Sequence, residues 1–221
     1  MKIRFDNVSY SYRHNTPYEI KALSGINLEI ERGEFFGIVG PAGSGKTTLL
    51  ELFNGLLLPD SGKVYIDGKD TAGCADMHKK VGLLLQYPEE QFFADTVYGE
   101  IAYGPGNLGR EKREIDTIVR RVMDEVGLDF ALFRGRSPFS LSNGEMRRCA
   151  IASLLGMDAS VLVFDEPFAG LDREGERRIA ECIEKLKASG RTIVCAARRM
   201  DSMLERTGRM ACLDEGKIKT I

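Results

Sequence analysis

The run Gly40-Pro41-Ala42-Gly43-Ser44-Gly45-Lys46-Thr47-Thr48 constrains this chain more than any other stretch, because of what flanks it. The apolar residues 35–39 predict a short buried strand ahead of the loop, and Leu49, Leu50, Glu51, Leu52 and Phe53 predict a helix behind it. Between a strand and a helix, the spacing G-x-x-x-x-G-K-[ST] lets backbone N–H groups curl around phosphate oxygens, while the helix N-terminus adds positive potential. In that setting Lys46 reaches the β and γ phosphates and Thr47 offers its hydroxyl to Mg²⁺. A chance glycine turn would not be expected to carry both the strand and the helix. Nucleotide binding is the first expectation.

A second apolar run, residues 161–164, ends in the adjacent carboxylates Asp165 and Glu166. Alone this reads as a strand ending in a solvated acidic turn. In a chain with a phosphate loop, Asp165 at a strand end can hold Mg²⁺ through water and Glu166 can polarise an attacking water. Three weaker signals accompany the pair. Gln86 follows a buried strand predicted over 81–85, where glutamine is usually a polar edge residue. Tyr12, in an early strand, offers an aromatic platform for adenine or simply packs in the core. Leu141-Ser142-Asn143-Gly144-Glu145 opens the helix of Met146, Arg147 and Arg148, so Ser142 and the Gly144 N–H form a second potential anion site. The same residues also read as a serine N-cap answered three positions later by glutamate.

The remaining pattern alternates strands with helices. Ile3, Phe5 and Val8, then Leu28 and Ile30, predict early strands, and residues 63–66 a hairpin strand between turns. Ile115, Ile118, Val119, Val122, Met123 and Val126 recur at helical spacing. A helix is predicted over 145–155, another over 174–188, a strand over 192–197, and a closing strand pair around 210–213 and 217–221. This order implies an α/β sheet with a mostly helical insertion over about 87–157.

Composition narrows the chemistry. Across 221 residues, 31 Lys and Arg oppose 33 Asp and Glu, a net charge of −2, so no broad field attracts nucleic acid or anionic lipid. The 2 histidines, His14 and His78, lack the spacing of a zinc site. The 5 cysteines (74, 149, 182, 195 and 212) form no C-x-x-C pair and mostly lie in apolar stretches, as expected of reduced packing residues in a cytosolic protein. Neither a signal peptide nor a membrane-spanning run is expected.

Taken in order, the motifs resemble those of the ATP-binding-cassette (ABC) ATPases over essentially the full chain. Residues 40–48 resemble the Walker A loop, Gln86 the Q-loop and residues 141–145 the signature. Residues 161–166 resemble the Walker B strand with its catalytic glutamate, and Ala169-Gly170-Leu171-Asp172 the D-loop. The stretch 86–93 together with 102–109 is similar, more narrowly, to the ATPase subunits of energy-coupling-factor (ECF) importers of vitamins and transition metals. The resemblance implies a P-loop NTPase cassette: a RecA-like mixed sheet core, an N-terminal antiparallel β subdomain and the inserted helical subdomain. It implies ATP and Mg²⁺ as cofactors, Gln86 joining Thr47 and Asp165 at the metal, and Tyr12 at the base. It also implies a head-to-tail dimer with a second ABC ATPase subunit, in which Ser142, Asn143, Gly144, Glu145 and Asp172 act in trans on the partner's nucleotide. Further implied partners are a transmembrane scaffold docking near the Q-loop and a separate substrate-binding membrane protein. The expected place of work is the cytoplasmic face of the membrane.

Three departures qualify this reading. The usual Leu-Ser-Gly-Gly-Gln signature carries Asn143 and Glu145 here, and the added negative charge is expected to weaken, not abolish, binding in trans. After the strand predicted over 192–197, where family members carry a switch histidine, this chain has Arg198, followed by Arg199 if the alignment slips by one. Arginine is always charged and only donates, so it can grip a γ-phosphate but cannot also accept a hydrogen bond as neutral imidazole does. Finally, a chain stopping at Ile221 is expected to be a bare cassette without the further carboxyl-terminal segment of many ECF-type relatives. The expectation is a subunit that binds MgATP, turns over slowly at its own site and works beside a cassette with intact motifs. Rival readings are a cassette of another transporter, a nucleotide-gated module with little turnover, and a non-transport ABC ATPase. The last would need a long heptad insertion or two fused cassettes, neither of which is present in this sequence.

Overall fold

Two sheets organise the first part of the fold. The computed structural model describes residues 2–74, 77–198 and 207–219. In the first sheet, β1 (Ile3–Tyr12) lies between β2 (Ile20–Ile30) and β4 (Ser61–Ile66), and β5 (Lys69–Asp70) extends the edge. All its pairings are antiparallel. Ile3, Phe5, Val8, Ile26, Leu28, Ile30, Val64 and Ile66 are buried, while Arg4, Asp6, Glu29 and Lys63 are exposed, the alternation of a sheet with one wet face. The three-residue step from Phe5 to Val8 is an irregularity in the ladder at Asn7, whose φ is 48°.

The second sheet takes the order β10-β9-β3-β8-β7-β6, from β10 (Lys217–Lys219), β9 (Arg209–Asp214), β3 (Phe35–Val39), β8 (Thr192–Ala197), β7 (Val161–Asp165) and β6 (Val81–Leu84). The β3–β8, β3–β9 and β7–β8 pairs are parallel, and β9–β10 is an antiparallel hairpin. Every residue of β3, β7 and β8 is buried, which is why these strands read as unbroken apolar runs. Helix α1 (Lys46–Phe53) follows β3 directly through the glycine loop, and Phe53 packs on Phe5 with ring centroids 4.7 Å apart. The short α2 (Met77–Lys80) leads into β6. The sheet, the glycine loop and α1 belong to one compact unit, made of residues up to Leu83, Ser160–Glu166 and those from Gly190 on.

A second unit comprises Leu84–Ala159 and Pro167–Ser189. It contains α3 (Val97–Asn107), α4 (Lys112–Glu125), the one-turn α5 (Phe130–Phe133), α6 (Asn143–Gly156) and α7 (Arg173–Ala188). The predicted amphipathic helix is α4, which buries Val119, Val122 and Met123. Helix α3 is not visible in the pattern, because Pro105 and three glycines sit inside it. It persists through close packing on α6: a β-carbon on Gly156 would stand 3.2 Å from the Ile101 carbonyl oxygen and 3.4 Å from Pro105 Cγ. Among the described residues no disulfide joins the five cysteines, and Cys149, Cys182 and Cys195 are buried. No helix among the described residues is long and apolar enough to cross a membrane.

Candidate functional site

The glycine loop is held from beneath by the chain's own backbone. The Gly216 N–H, in the β9–β10 turn, donates to the Ser44 carbonyl at 3.1 Å, and the Gly40 N–H donates to the Ala197 carbonyl at 3.3 Å. Gly45 caps α1 with φ 100°, a left-handed conformation that brings its backbone against β2; a β-carbon there would stand 2.7 Å from the Ala22 carbonyl oxygen. Around Gly43, by contrast, a β-carbon would meet nothing within 4 Å, so the mouth of the loop is open.

Lys46 is almost fully buried, and its Nζ donates to the Gly40 and Pro41 carbonyls at 2.8 and 2.9 Å. Burial lowers its pKa from the ordinary lysine range, opposed by the charges of Glu166 and Asp165, while Arg198 pushes it further down. Ser44 Oγ is buried without a hydrogen-bond partner. A phosphate group supplies what this geometry lacks: an acceptor for the Ser44 hydroxyl and a counter-charge for a buried ammonium now resting on neutral carbonyls. The loop residues fit a nucleotide polyphosphate.

At the end of β7 the two carboxylates behave differently. Asp165 is 2 % exposed and accepts a hydrogen bond from Thr47 Oγ1 at 2.6 Å. Burial raises its pKa, against the lowering effect of the Thr47 bond. A hydroxyl and a carboxylate in contact at the lip of a phosphate loop suit Mg²⁺, which takes few protein ligands beside phosphate and water. Among the described residues no cluster of three or more His, Cys, Asp or Glu could hold a metal alone. Glu166 has φ 46°, an uncommon conformation for a side-chain-bearing residue, and its N–H donates to the Ala196 carbonyl at 3.0 Å. Its Oε1 accepts from Arg198 Nε at 2.7 Å. Thus Lys46, Thr47, Asp165, Glu166 and Arg198 belong to one unit. Arg199 lies outside the described residues. Tyr12 is too exposed to be a core residue; its hydroxyl shares a hydrogen bond with Thr48 Oγ1 at 2.9 Å, and Tyr10 packs edge-on to its ring at 5.1 Å.

The signature residues belong to the second unit. Ser142 caps α6 in a closed capping box: its Oγ accepts from the Glu145 N–H at 3.4 Å, and Glu145 Oε2 accepts from the Ser142 N–H at 2.9 Å. That backbone bond holds the Glu145 carboxyl below the usual carboxylate range. Asp172 caps α7, accepting from the Gly175 N–H at 2.8 Å. The starts of α6 and α7 face each other across a cleft of about 380 Å³, lined by Ser142, Asn143, Gly144, Glu145 and Asp172 among others. Gln86 also lies in this unit.

Sequence reasoning passed over Arg147. It is 5 % exposed, and its Nη2 donates to the Gln86 carbonyl at 3.2 Å and the Ala169 carbonyl at 2.7 Å, bracing the two loops that carry Gln86 and Asp172. Its only signal was an arginine at a helical position that turned out to face inward. A smaller cleft of about 150 Å³ is lined by Phe92, Phe93, Glu100, Tyr103, Ala150 and Met157. There the exposed rings of Phe93 and Tyr103 meet at 4.4 Å, and the buried Glu100 carboxylate accepts from the N–H groups of Phe93 and Ala94 at 3.1 and 3.0 Å.

Comparison with known proteins agrees with this geometry. Residues 23–169 match the ABC transporter family. The chain is 42% identical to the energy-coupling factor transporter ATP-binding protein EcfA2 of Clostridium perfringens over 223 residues, 99% of this chain and 78% of that protein. Among solved structures it resembles cbiO1 from the same organism, described as part of the ABC transporter complex cbiONQ, with a TM-score of 0.86, 32% identity and coverage of 98% and 86%. It also resembles the ATP-binding cassette MJ0796, solved as a dimer in a post-hydrolysis state bound to ADP and Pi, with a TM-score of 0.87, 26% identity and coverage of 98% and 96%. With a phosphate loop, an acidic strand end and the fold of these cassettes in one chain, the protein belongs to the ABC transporter family and is one of its ATP-binding ATPase subunits.

Proposed function

We propose that this chain is the ATP-hydrolysing subunit of an ECF-type importer of vitamins or transition-metal ions, and the less active member of a pair of unlike cassettes. The observation that carries the reading is the cluster of Lys46, Thr47, Asp165 and Glu166 around an open phosphate loop, with Arg198 where the family's histidine is expected. Lys46 exchanges its two carbonyl acceptors for the β and γ phosphates, and backbone N–H groups of the glycine loop surround them. Thr47 and Asp165 would hold Mg²⁺, and Tyr12 would stack on the base. Glu166 accepts the proton of the attacking water. Ser142, Asn143, Gly144, Glu145 and Asp172 serve the nucleotide of the second cassette.

The transmembrane scaffold docks near Gln86, a separate membrane protein selects the cargo, and the assembly works at the cytoplasmic face of the membrane. Likeness to the EcfA2 relative and to cbiO1 supports this assignment. A second reading, a nucleotide-gated module with little turnover, is favoured by the Arg198–Glu166 ion pair.

The test is reconstitution with the second cassette and membrane partners, measuring ATPase activity before and after Glu166→Gln. Retention of most of the activity is expected, and loss of nearly all of it refutes a subordinate site. Purification from membranes is expected to bring down a second cassette and a small transmembrane scaffold; recovery with ribosomes instead refutes the transporter role.

A further inference from the structure

Arg147 lies in the second turn of α6, and a single atom of its buried guanidinium, Nη2, donates to two backbone carbonyls. The Gln86 carbonyl lies at 3.2 Å and the Ala169 carbonyl at 2.7 Å, and the two acceptors come 61 positions before the arginine and 22 after it. Two loops remote in sequence therefore converge on one nitrogen. Beside Ala169, the Leu171 N–H donates to the Phe168 carbonyl at 3.4 Å, and Asp172 then caps α7. The same loop lies against the start of α6, since a β-carbon on Gly144 would stand 3.9 Å from Leu171 Cδ2. All these residues belong to one compact unit. The neighbouring Arg148 is buried too, but its bonds to the Val126 and Gly127 carbonyls tie α6 to the end of α4 instead.

Resting on the reading that the scaffold docks near Gln86 and that Asp172 serves a second cassette's nucleotide, we propose that Arg147 is a positioning residue that joins these two loops, so that displacement of one is felt at the other. The physical basis is burial. A hydrogen bond from a charged donor is roughly twice as strong as one between neutral groups. Withdrawing an acceptor from such a donor costs more inside the protein than at the surface, where water takes the acceptor's place. If the Gln86 loop shifts alone, Arg147 loses an acceptor. If α6 and the Ala169 loop shift with it, both bonds survive, and that course is favoured. Because both acceptors are backbone atoms, the joint follows the path of the chain and leaves the side chains of Gln86 and Asp172 to their own contacts.

Amide hydrogen exchange on the full chain reads the joint without any partner. Asp172→Ala removes the oxygen that caps α7 and loosens the loop before it. With Arg147 in place, that change is expected to speed exchange in residues 84–93 by about two-fold or more. In the Arg147→Met background, which fills similar space without a donor, the added effect there is expected to fall below about 1.2-fold. An arginine with a merely structural role would loosen each loop by itself, so an equal effect of Asp172→Ala in both backgrounds, or none in either, overturns the joint. Arg147→Lys has a shorter arm and does not span both carbonyls; it is expected to transmit less than the parent, and equal transmission overturns the proposal. ADP binding within about two-fold of the parent reports that each variant is folded, and should Arg147→Met fail that check, the comparison of Arg147→Lys with the parent decides. The consequence for function is read on the complex purified from membranes with scaffold and second cassette. There Arg147→Met is expected to lower kcat for ATP about three-fold or more with KM within about two-fold, because α6 and Asp172 serve the partner's site while the phosphate loop is untouched. Unchanged kcat, or a change in KM alone, overturns the functional role. Failure to recover the scaffold and second cassette overturns the transporter reading and that role with it, while exchange on the chain alone still decides whether Arg147 joins the loops.

Discussion

Asp165 illustrates how single residues in this site trade stability for chemistry. Burial raises its pKa above the ordinary 3.8, so the folded chain disfavours the charged carboxylate that the proposed Mg²⁺ would require. Below 3.8 the carboxyl is protonated in both folded and unfolded chains and there is no penalty. As pH rises through the raised folded value, the unfolded chain has already released its proton, and the penalty grows to its full size. Asp165→Asn is therefore expected to be more resistant to denaturant than the parent at neutral pH, with the difference shrinking in acid, and to lose Mg²⁺-dependent nucleotide binding. Urea unfolding at neutral and acid pH, with titration of Mg²⁺, checks both. A parent chain equal or superior at neutral pH would show that the Thr47 bond outweighs burial.

The cysteines give an independent check of packing at the same scale. Burial pushes the Cys149 thiol up to about 12 and that of Cys182 to about 11. A thiol that high is unreactive near neutrality, because the thiolate is the nucleophile. Alkylation of the native chain at pH 8 is expected at the half-buried Cys74 and Cys212 and not at Cys149, Cys182 or Cys195 until the chain unfolds. Mass mapping after brief labelling reads the outcome. The apolar surroundings of these cysteines were legible in the sequence. The functional meaning of Arg147 was not, because whether a helical arginine faces solvent or two loop carbonyls depends on what packs against the helix.

At the scale of elements, α6 owes its start to a reciprocal cap that the sequence displays as Ser142 and Glu145. Ser142→Ala is expected to cost about 1 kcal/mol, read by denaturant unfolding, since an N-terminal amide loses its acceptor. Glu145→Gln should change stability by less than about 0.5 kcal/mol, because a glutamine amide oxygen can still accept from the Ser142 N–H. The same change removes a negative charge from the cleft between α6 and α7. We therefore expect Glu145→Gln to strengthen ATP-dependent association of cassettes, measured by sedimentation. Unchanged association would show that the carboxylate, already engaged by the cap, does not oppose the partner's nucleotide. Elements with regular periodicity, such as α4 and β8, were legible to within a few residues. Helix α3 was not, because its glycines and Pro105 are poor helix formers in isolation; at Gly104 a β-carbon would stand 2.5 Å from Met157 Cγ at the end of α6, a closeness that no short stretch of sequence displays.

At the scale of the molecule, a ligand that binds only the folded chain stabilises it by mass action. MgATP at about 100 times its dissociation constant adds about 2.7 kcal/mol. For a chain of this size that raises the unfolding temperature by about 5–10 °C, measured by differential scanning calorimetry. Lys46→Ala is expected to remove the increment, and an increment of the same size in that variant would place the nucleotide elsewhere. The sequence by itself determined the phosphate loop, the acidic strand end and the α/β order of elements. Each is a local pattern, in which neighbouring residues along the chain do the chemistry or set the period. Tertiary structure alone decided that Asp165 meets Thr47 across 118 positions and that Glu166 meets Arg198 across 32. It also decided that Arg147 joins loops distant in sequence. Those contacts follow from parallel strand register and side-chain burial, which depend on the whole sheet and on the packed helices and leave no mark in any short stretch of residues.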